Sequence, residues 1–322
     1  MHLGNGAITP ECAALTFSAA AAGLGFGTYA ARIKPALGES KQPEQSFRER
    51  LSLAVGLGGL VFAAQAVNVP ILPASSAHLV GGVLLAAAVG PALGAWTMAV
   101  ILTIQAFALG DGGVLALGAN VLNMGLLPAA LVAGWQRLSK GASRYPLVSI
   151  SLVAAVAVPL AAGLILVETA LFRSTAELAG WMNFAIQMLT THLWIGLAEG
   201  AVTGALLLVV QQLAQRSTSR SWQPAVVSLA AALLLTAVVF PWASNLPDGY
   251  EAAAEQNGLA SWLSEDTQSL AAAWQAASVT FIHDACGSEQ ALLIAATLLT
   301  AALTSIVVML NERARAVRAI EN

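Results

Sequence analysis

Residues 147–171 read LVSISLVAAVAVPLAAGLILVETAL, an apolar run longer than the about 20 residues that a helix needs to cross a bilayer. The rest of the chain has the same character. Hydrophobic residues make up 57% of its 322 residues, charged residues only 10%, and the mean hydropathy is +0.74. Because a soluble domain is about 25% charged, this composition predicts an all-α integral membrane protein.

Similar apolar runs predict nine membrane spans. They lie at about 12–33, 50–67, 78–89, 91–109, 114–136, 147–171, 183–212, 224–243 and 289–310. The third is short and joins the fourth at Gly90-Pro91, so we expect it to be tilted or broken beside protein or a cavity. Three parts are predicted: a seven-span domain at 1–215, a polar linker at 216–223, and a two-span module at 224–322 with an outer loop at about 244–288.

The basic residues predict the orientation. With nine spans, all 14 Lys and Arg residues except Arg173 fall on one side of the membrane, which the positive-inside rule makes cytoplasmic. The N-terminus is then outside and the C-terminus cytoplasmic. The first apolar stretch has no basic residues before it, so we expect no cleaved signal peptide. The outer side is acidic, which would either concentrate cations or reflect ordinary solvated loops.

The chain starts Met1-His2, and this pair can offer a metal three nitrogens in a row. These are the α-amine of Met1, the backbone amide nitrogen of His2 and the imidazole of His2. Such a planar set suits Ni(II) or Cu(II). The ligands must lose protons to bind, so affinity should fall at acid pH. The alternative is that His2 merely follows the start codon.

A second histidine is expected on the same outer side. His78 ends the segment NVPILPASSAH at 68–78, whose prolines and serines, Ser75 and Ser76 among them, indicate an irregular connection. His78 would lie where the third span enters the membrane, and with Met1 and His2 it could complete a four-nitrogen site. A helix-capping or interfacial histidine is the competing interpretation.

Two polar pairs lie within predicted spans. His192 and Glu199 are two helical turns apart and point the same way, which is compatible with cation transport, a proton relay or a packed helix interface. Asn120 and Asn123, in LGANVLNMG at 117–125, share a helix face. They could orient the metal histidines or tie helices together.

Several chemistries have no matching motif in the sequence. Lysine occurs at only three positions, and none is preceded by glycine, so a Walker-type ATP site is excluded. No zinc-hydrolase motif or nucleophile elbow occurs, so an enzyme is not expected, and nothing indicates nucleic-acid binding. Cys12 and Cys286 both fall near the outer face, where they would form a disulfide or remain free thiols.

These segments together resemble the CbiM/NikM family, the metal-binding S component of energy-coupling factor transporters for cobalt and nickel. The resemblance covers most of residues 1–213 and rests on four segments: the Met1-His2 start, the Pro/Ser segment ending at His78, LGANVLNM at 117–124, and HLWIG with Glu199 at 192–199. The tail at about 224–322 resembles the CbiN/NikN companion of PDGLE type. Its Pro247–Glu251 reads PDGYE, with Tyr250 in place of leucine.

The resemblance implies a seven-helix S-component bundle with two further transmembrane helices, in the plasma (inner) membrane of a prokaryote. It implies Ni²⁺ or Co²⁺ as the transported substrate, bound by Met1, His2 and His78. It also implies a transmembrane coupling subunit of CbiQ/NikQ type and a cytoplasmic ATPase of CbiO/NikO type, with no nucleotide on this chain. The supporting residues would be Asn5, Ser75, Ser76, Asn120, Asn123, His192 and Glu199.

One departure from the family and two alternatives remain. Family members usually carry an acidic residue before the glycine near the start, whereas this chain has Asn5 before Gly6. The competing function is a proton-coupled secondary transporter of a divalent metal that uses His192 and Glu199. The residues do not separate nickel from cobalt, although planar nitrogen donors with a deprotonated amide favour nickel modestly.

Overall fold

Helices make up most of the computed structural model, which describes residues 2–33, 47–139, 146–175, 178–216, 223–263 and 269–321. Met1, the predicted amine ligand, lies outside the described residues. So do most of the predicted linker, at 217–222, the basic loops at 34–46 and 140–145, and part of the outer loop, at 264–268.

The described helices follow the predicted spans in order. They are α1 (Pro10–Ile33), α2 (Phe47–Gln65), α3 (Gly82–Val89), α4 (Pro91–Ile104), α5 (Leu117–Val121), α6 (Leu127–Ser139), α7 (Pro146–Ala170), α8 (Trp181–Arg216), α9 (Gln223–Leu234), α10 (Gly249–Gln256), α11 (Leu270–Cys286) and α12 (Glu289–Glu321). Within the described part of the chain, seven helical stretches are long and apolar enough to cross a membrane. The apolar part of α2, Leu51–Gln65, and the whole of α3 are shorter.

Among the residues that the structure describes, three π-helical turns interrupt or extend these helices. They cover Gln105–Leu109 after α4, Leu122–Leu126 between α5 and α6, and Leu235–Val239 after α9. The first turn ends at Gly110, whose φ of 70° lies in the left-handed region that glycine adopts without strain. The chain there leaves the helix direction and forms the loop 110–116, which reaches the N-terminal residues.

The segment before α3 is more regular than expected. Residues Val69–Leu72 (β1) and Ser75–Ala77 (β2) pair antiparallel, with a bulge between Pro70 and Leu72. The third span was expected at about 78–89, and within that range α3 begins at Gly82. The N-cap Gly81 has a φ of 75°, and a Cβ there would lie 2.5 Å from Val61. His78 therefore belongs to an extended connection between the hairpin and α3.

The C-terminal helices pack on the first part of the chain through small residues. Helix α2 lies against both α9 and α12. A Cβ on Gly56 would come within 2.7 Å of the Ala225 Cα, so glycine at this position permits the close approach of α9. The described residues of the predicted module thus share a packed interface with those of the predicted seven-span domain.

The predicted outer loop is largely helical. Its described residues contain α10, a 3₁₀ turn at Ala260–Leu263, and α11. Asp248 caps α10 and accepts hydrogen bonds from the amides of Tyr250 and Glu251, while the Glu251 carboxylate accepts one from the Asp248 amide. This capped turn lies against the β hairpin.

Candidate metal centre

The N-terminal segment, residues 2–8, is buried in the protein, although chain ends usually are exposed. Leu3 is fully buried, and His2 is only 8% exposed. Asn120 binds the segment through both ends of its side-chain amide. Its Oδ1 accepts from the Leu3 amide at 2.9 Å, and its Nδ2 donates to the Leu3 carbonyl at 3.1 Å. A single side chain therefore satisfies both main-chain groups of the residue next to His2.

The loop 110–116 lines the other side of the N-terminal segment. The Gly113 amide donates to the Leu3 carbonyl at 2.8 Å, and the Leu115 amide donates to Asn5 Oδ1 at 3.0 Å. A Cβ on Gly113 would lie 2.3 Å from the backbone nitrogen of Asn5, which is too close for two non-bonded heavy atoms. Only glycine at this position allows the two strands of backbone to approach so closely.

Arg173 holds the far end of the segment. Its Nη2 donates to the carbonyls of Gly6 and Ala7, at 2.9 and 3.1 Å. Its guanidinium lies over the Trp262 ring, 4.5 Å from the ring centroid, an arrangement that favours the cation. The one basic residue predicted on the outer side thus helps to hold the N-terminal segment.

The two predicted histidine ligands are brought together. The rings of His2 and His78 stack, with centroids 5.1 Å apart and planes 12° from parallel. His2 Nδ1 lies 3.0 Å from the Asp111 carboxylate, and His2 Nε2 is buried without a hydrogen-bond partner among the described residues. Residues from three distant parts of the sequence therefore meet at one point.

The charges at this point are shifted by their surroundings. Burial and the neighbouring His2 lower the pKa of His78 to about 3, so its ring is neutral at physiological pH, which is the form that binds a metal. Burial tends to raise the pKa of Asp111, but the charge of His2 and the hydrogen bond with His2 outweigh it and lower that pKa to about 2. Asp111 is thus an anion beside two imidazoles.

The geometry sets conditions on how an ion would bind. An imidazole nitrogen binds a metal ion through a lone pair that lies in the plane of its ring. The stacked rings of His2 and His78 have nearly parallel planes, so their lone pairs do not point at one common ion. At least one of the two rings therefore has to rotate before both can bind the same ion. An ion held by both the His2 amide and ring would take Nδ1, the nitrogen nearer the main chain, and displace Asp111 from it. No three His, Cys, Asp or Glu side chains converge as ligands within the described residues.

The connection that carries His78 is fixed from two sides. The Ser76 amide donates to the Pro247 carbonyl at 2.8 Å and its hydroxyl donates to the Leu246 carbonyl at 2.7 Å, which joins the hairpin to the turn before α10. On the other side, the two Glu199 oxygens accept from the amides of Val80 and Gly81, at 2.9 and 2.8 Å. Ser75 is buried, and its hydroxyl donates to the Ser76 carbonyl.

His192 lies near His78, and its contacts differ from those of Glu199. Its Nδ1 pairs with the Met188 carbonyl at 2.7 Å within α8. Together with His78, Asp248 and Gly249 it lines a small cavity, whereas Glu199 lines a separate one. The expected pair therefore shares a helix face, but its members contact different parts of the structure.

Asn123 has different partners from Asn120. It donates from Nδ2 to the Glu168 carboxylate on α7 at 2.7 Å, so it ties two helices and does not contact either histidine. The π-helical turn that begins at Leu122 changes the direction of the side chains after Asn120. Cys12 and Cys286 are both free thiols, the first of them buried.

Sequence reasoning missed several polar residues of the site. Arg173 and Glu168 had usable signals, as the outer basic residue and as a carboxylate within a span. Asp111 lies between two glycines, a turn pattern without a specific chemistry. Gln275, a buried glutamine on α11 that contacts Asn5, had no signal at all.

Comparison with known proteins shows what the chain resembles. A family model described as CbiM, cobalt uptake substrate-specific transmembrane region, matches residues 2–217. A putative fused nickel transport protein NikMN of Archaeoglobus fulgidus is 29% identical over 253 residues, which cover 76% of this chain and 78% of that protein. A putative cobalt transport protein CbiM of Haloquadratum walsbyi is 32% identical over 139 residues, covering 42% of this chain and 56% of that protein.

A solved structure is similar as well. The crystal structure of a transition metal transporter aligns with a TM-score of 0.53 at 26% identity, and the alignment covers 67% of this chain and 95% of the other. The matched share corresponds in extent to the residues matched by the family model. The fold likeness and the sequence likeness therefore point to one group of proteins.

Proposed function

Because the chain belongs to the CbiM/NikM family of cobalt and nickel transport membrane proteins, with a NikN-like module fused to it, we propose that it is the substrate-binding membrane subunit of an ATP-driven importer. Its substrate is Ni²⁺ or Co²⁺. The predicted parts at 1–215 and 224–322 are, in this proposal, the metal-binding domain and the fused module.

The observation that carries the proposal is the contact between His2 and His78. A flexible N-terminus loses conformational entropy when it is buried and held by Asn120, Gly113 and Arg173. That order has a use if His2 must be kept at a fixed position. The contact with His78 and with anionic Asp111 supplies a place where a divalent cation is favoured.

The proposed ligands are the Met1 amine, the amide nitrogen and ring of His2, and the His78 ring. Four nitrogens in a plane match the tetragonal preference of Ni²⁺. Asn120 and Asn5 fix the backbone around His2, while Ser75, Ser76 and Glu199 fix the connection that carries His78. His192 lines the cavity beside His78, and Asn123 supports the helix packing.

The transport cycle requires partners in this proposal. The sequence has no nucleotide-binding motif, so ATP hydrolysis takes place in separate ATPases of CbiO/NikO type, joined through a coupling subunit of CbiQ/NikQ type. The N-terminus faces the outside of the plasma membrane and the C-terminus the cytoplasm, as the distribution of basic residues favours. Metal is then captured at the outer face and delivered inward.

The N-terminus provides the direct test. We expect acetylation of the α-amine, or His2→Ala, to abolish high-affinity Ni²⁺ binding in calorimetry, because each change removes a chelating nitrogen. His78→Ala removes one ligand and should weaken binding strongly. The matched control is His283→Ala, since His283 is exposed on α11. Unchanged nickel affinity in the acetylated and His2→Ala proteins, with normal membrane insertion, would refute the proposed site.

A further inference from the structure

We propose that Gln275, on α11, is a positioning residue that holds the N-terminal metal-binding segment through a matched pair of amides with Asn5. The inference rests on the proposed function, because it assumes that His2 binds the metal. It gives α11 of the C-terminal part a defined role, since α11 then keeps Asn5, and thereby His2 three residues before it, at the position that metal binding requires.

Gln275 uses its whole hydrogen-bonding capacity. Its side chain is 3% exposed. Oε1 accepts from Asn5 Nδ2 at 2.9 Å and from the Val114 amide at 3.0 Å, and Nε2 donates to the carbonyls of Ala106 and Gly112 at 3.0 and 2.9 Å. Because both protons of the amide have carbonyl partners, its oxygen must face Asn5.

Asn5 is the complementary half of the pair. Its Oδ1 accepts from the Leu115 amide at 3.0 Å, and its Nδ2 donates to Gln275. The position therefore needs a donor on one side and an acceptor on the other, which an asparagine supplies and an aspartate does not. An aspartate would place a second oxygen against Gln275 Oε1, and both are buried where water cannot separate them.

The four bonds tie α11 to two separate parts of the chain. They are the N-terminal segment at Asn5 and the continuous stretch from the π-helical end of α4 into the loop 110–116, at Ala106, Gly112 and Val114. That loop also carries Asp111, which contacts His2 Nδ1. Loss of Gln275 would thus free Asn5, and with it the N-terminal segment that carries His2, and would also loosen the loop that carries Asp111.

The matched control is another amide in the same C-terminal part. Asn257 follows α10 and donates from Nδ2 to Gln187 Oε1 on α8 and to the Ala253 carbonyl, both at 2.8 Å. It therefore also bonds across to the seven-span part, but not to the N-terminal segment. Gln275→Ala and Asn257→Ala both remove such an amide, and they differ in whether the N-terminal segment is touched.

The experiment uses the full chain with a free N-terminus in detergent. We expect Gln275→Ala to weaken Ni²⁺ binding by about 10- to 100-fold, the usual effect of losing a group that orients a metal ligand, while Asn257→Ala leaves it unchanged. The visible absorption of bound Cu²⁺, which reports the ligand geometry, should change only for Gln275→Ala. An unchanged affinity and spectrum for Gln275→Ala would overturn the inference.

A second variant keeps the test decisive if Gln275→Ala does not fold. Asn5→Asp has nearly the same shape, and we expect it to lose affinity to a similar degree. Where Gln275→Ala and Asn5→Asp both fold, the protein with both substitutions should bind Ni²⁺ no more weakly than the single variant of lower affinity. Either substitution alone already breaks the hydrogen bond between Asn5 and Gln275. Losses that multiply would contradict the pairing.

The outcomes also separate this inference from the proposed function. If His2→Ala abolishes nickel binding and Asn5→Asp and Gln275→Ala do not affect it, only the positioning role fails. If His2→Ala has no effect either, the metal site itself is wrong.

Discussion

Glu199 lies inside α8, and both oxygens of its carboxylate contact the main chain of another segment. They accept hydrogen bonds from the amides of Val80 and Gly81, just after His78. The arrangement resembles an anchor for the His78 connection more than a relay, because a carboxylate that carries cations or protons has to exchange its partners. At the residue scale, the buried polar groups therefore hold backbone in place.

The anchoring role of Glu199 predicts a specific loss. In Glu199→Gln the amide of Val80 or Gly81 meets an NH₂ group in place of an oxygen, and a buried donor left without an acceptor costs about 1–3 kcal/mol. We expect lower thermal stability in detergent and weaker Ni²⁺ binding together. The exposed Glu255→Gln on α10 is the control. A loss of transport with unchanged stability and affinity would instead favour the proton-coupled mechanism.

Asn5 illustrates how one residue depends on its neighbours. The resemblance described in the sequence analysis predicts an acidic residue at this position, and the chain has asparagine. In this structure its amide donates to Gln275 and accepts from Leu115, so the amide has a use that a carboxylate would not fulfil. The departure is thus consistent with a different partner on α11 and does not require the loss of the metal site.

At the scale of elements, the site depends on a loop and a terminus that approach each other without side chains between them. Gly113 lies directly against Asn5, and Gly112 has a φ of 90°. The loop 110–116 follows the π-helical end of α4, which turns the chain toward the N-terminal segment. The π-helical end of α4, Gly112 and Gly113 together place Asp111 beside His2.

Gly113→Ala tests this contact. The added Cβ would lie 2.3 Å from the Asn5 nitrogen, so the N-terminal segment must move. We expect Ni²⁺ affinity to fall by about 10-fold or more, as when the surroundings of a metal ligand are lost. Gly163→Ala in α7 meets nothing within 4 Å and should bind normally. Normal binding by Gly113→Ala would show that the loop does not position the site.

At the scale of the whole molecule, the described residues of the C-terminal part reach the candidate site at three places. The turn before α10 binds Ser76, Trp262 lies under Arg173, and Gln275 binds Asn5. These contacts surround the N-terminal segment and the His78 connection. A covalently fused module keeps such contacts at a high effective concentration without a separate binding step.

The energy source distinguishes the two candidate functions. We expect nickel uptake by cells that express this chain to require the partner ATPase and to persist for a short time after the proton gradient is collapsed, because ATP drives the step directly. A catalytically inactive ATPase is the control for complex assembly. Metal uptake that continues in a strain without the ATPase would favour the secondary transporter.

Sequence alone determined the membrane class and the order of the helices and led to the prediction of His2 and His78 as ligands, because apolar length and rare polar residues in an apolar chain are local signals. It did not show that α3 starts after His78, or that Asn123 turns to Glu168. Only the tertiary structure decided the partners: Asp111 for His2, Arg173 for Gly6 and Gln275 for Asn5. Those contacts join residues more than a hundred positions apart, and their geometry follows from helix packing, which no local pattern encodes.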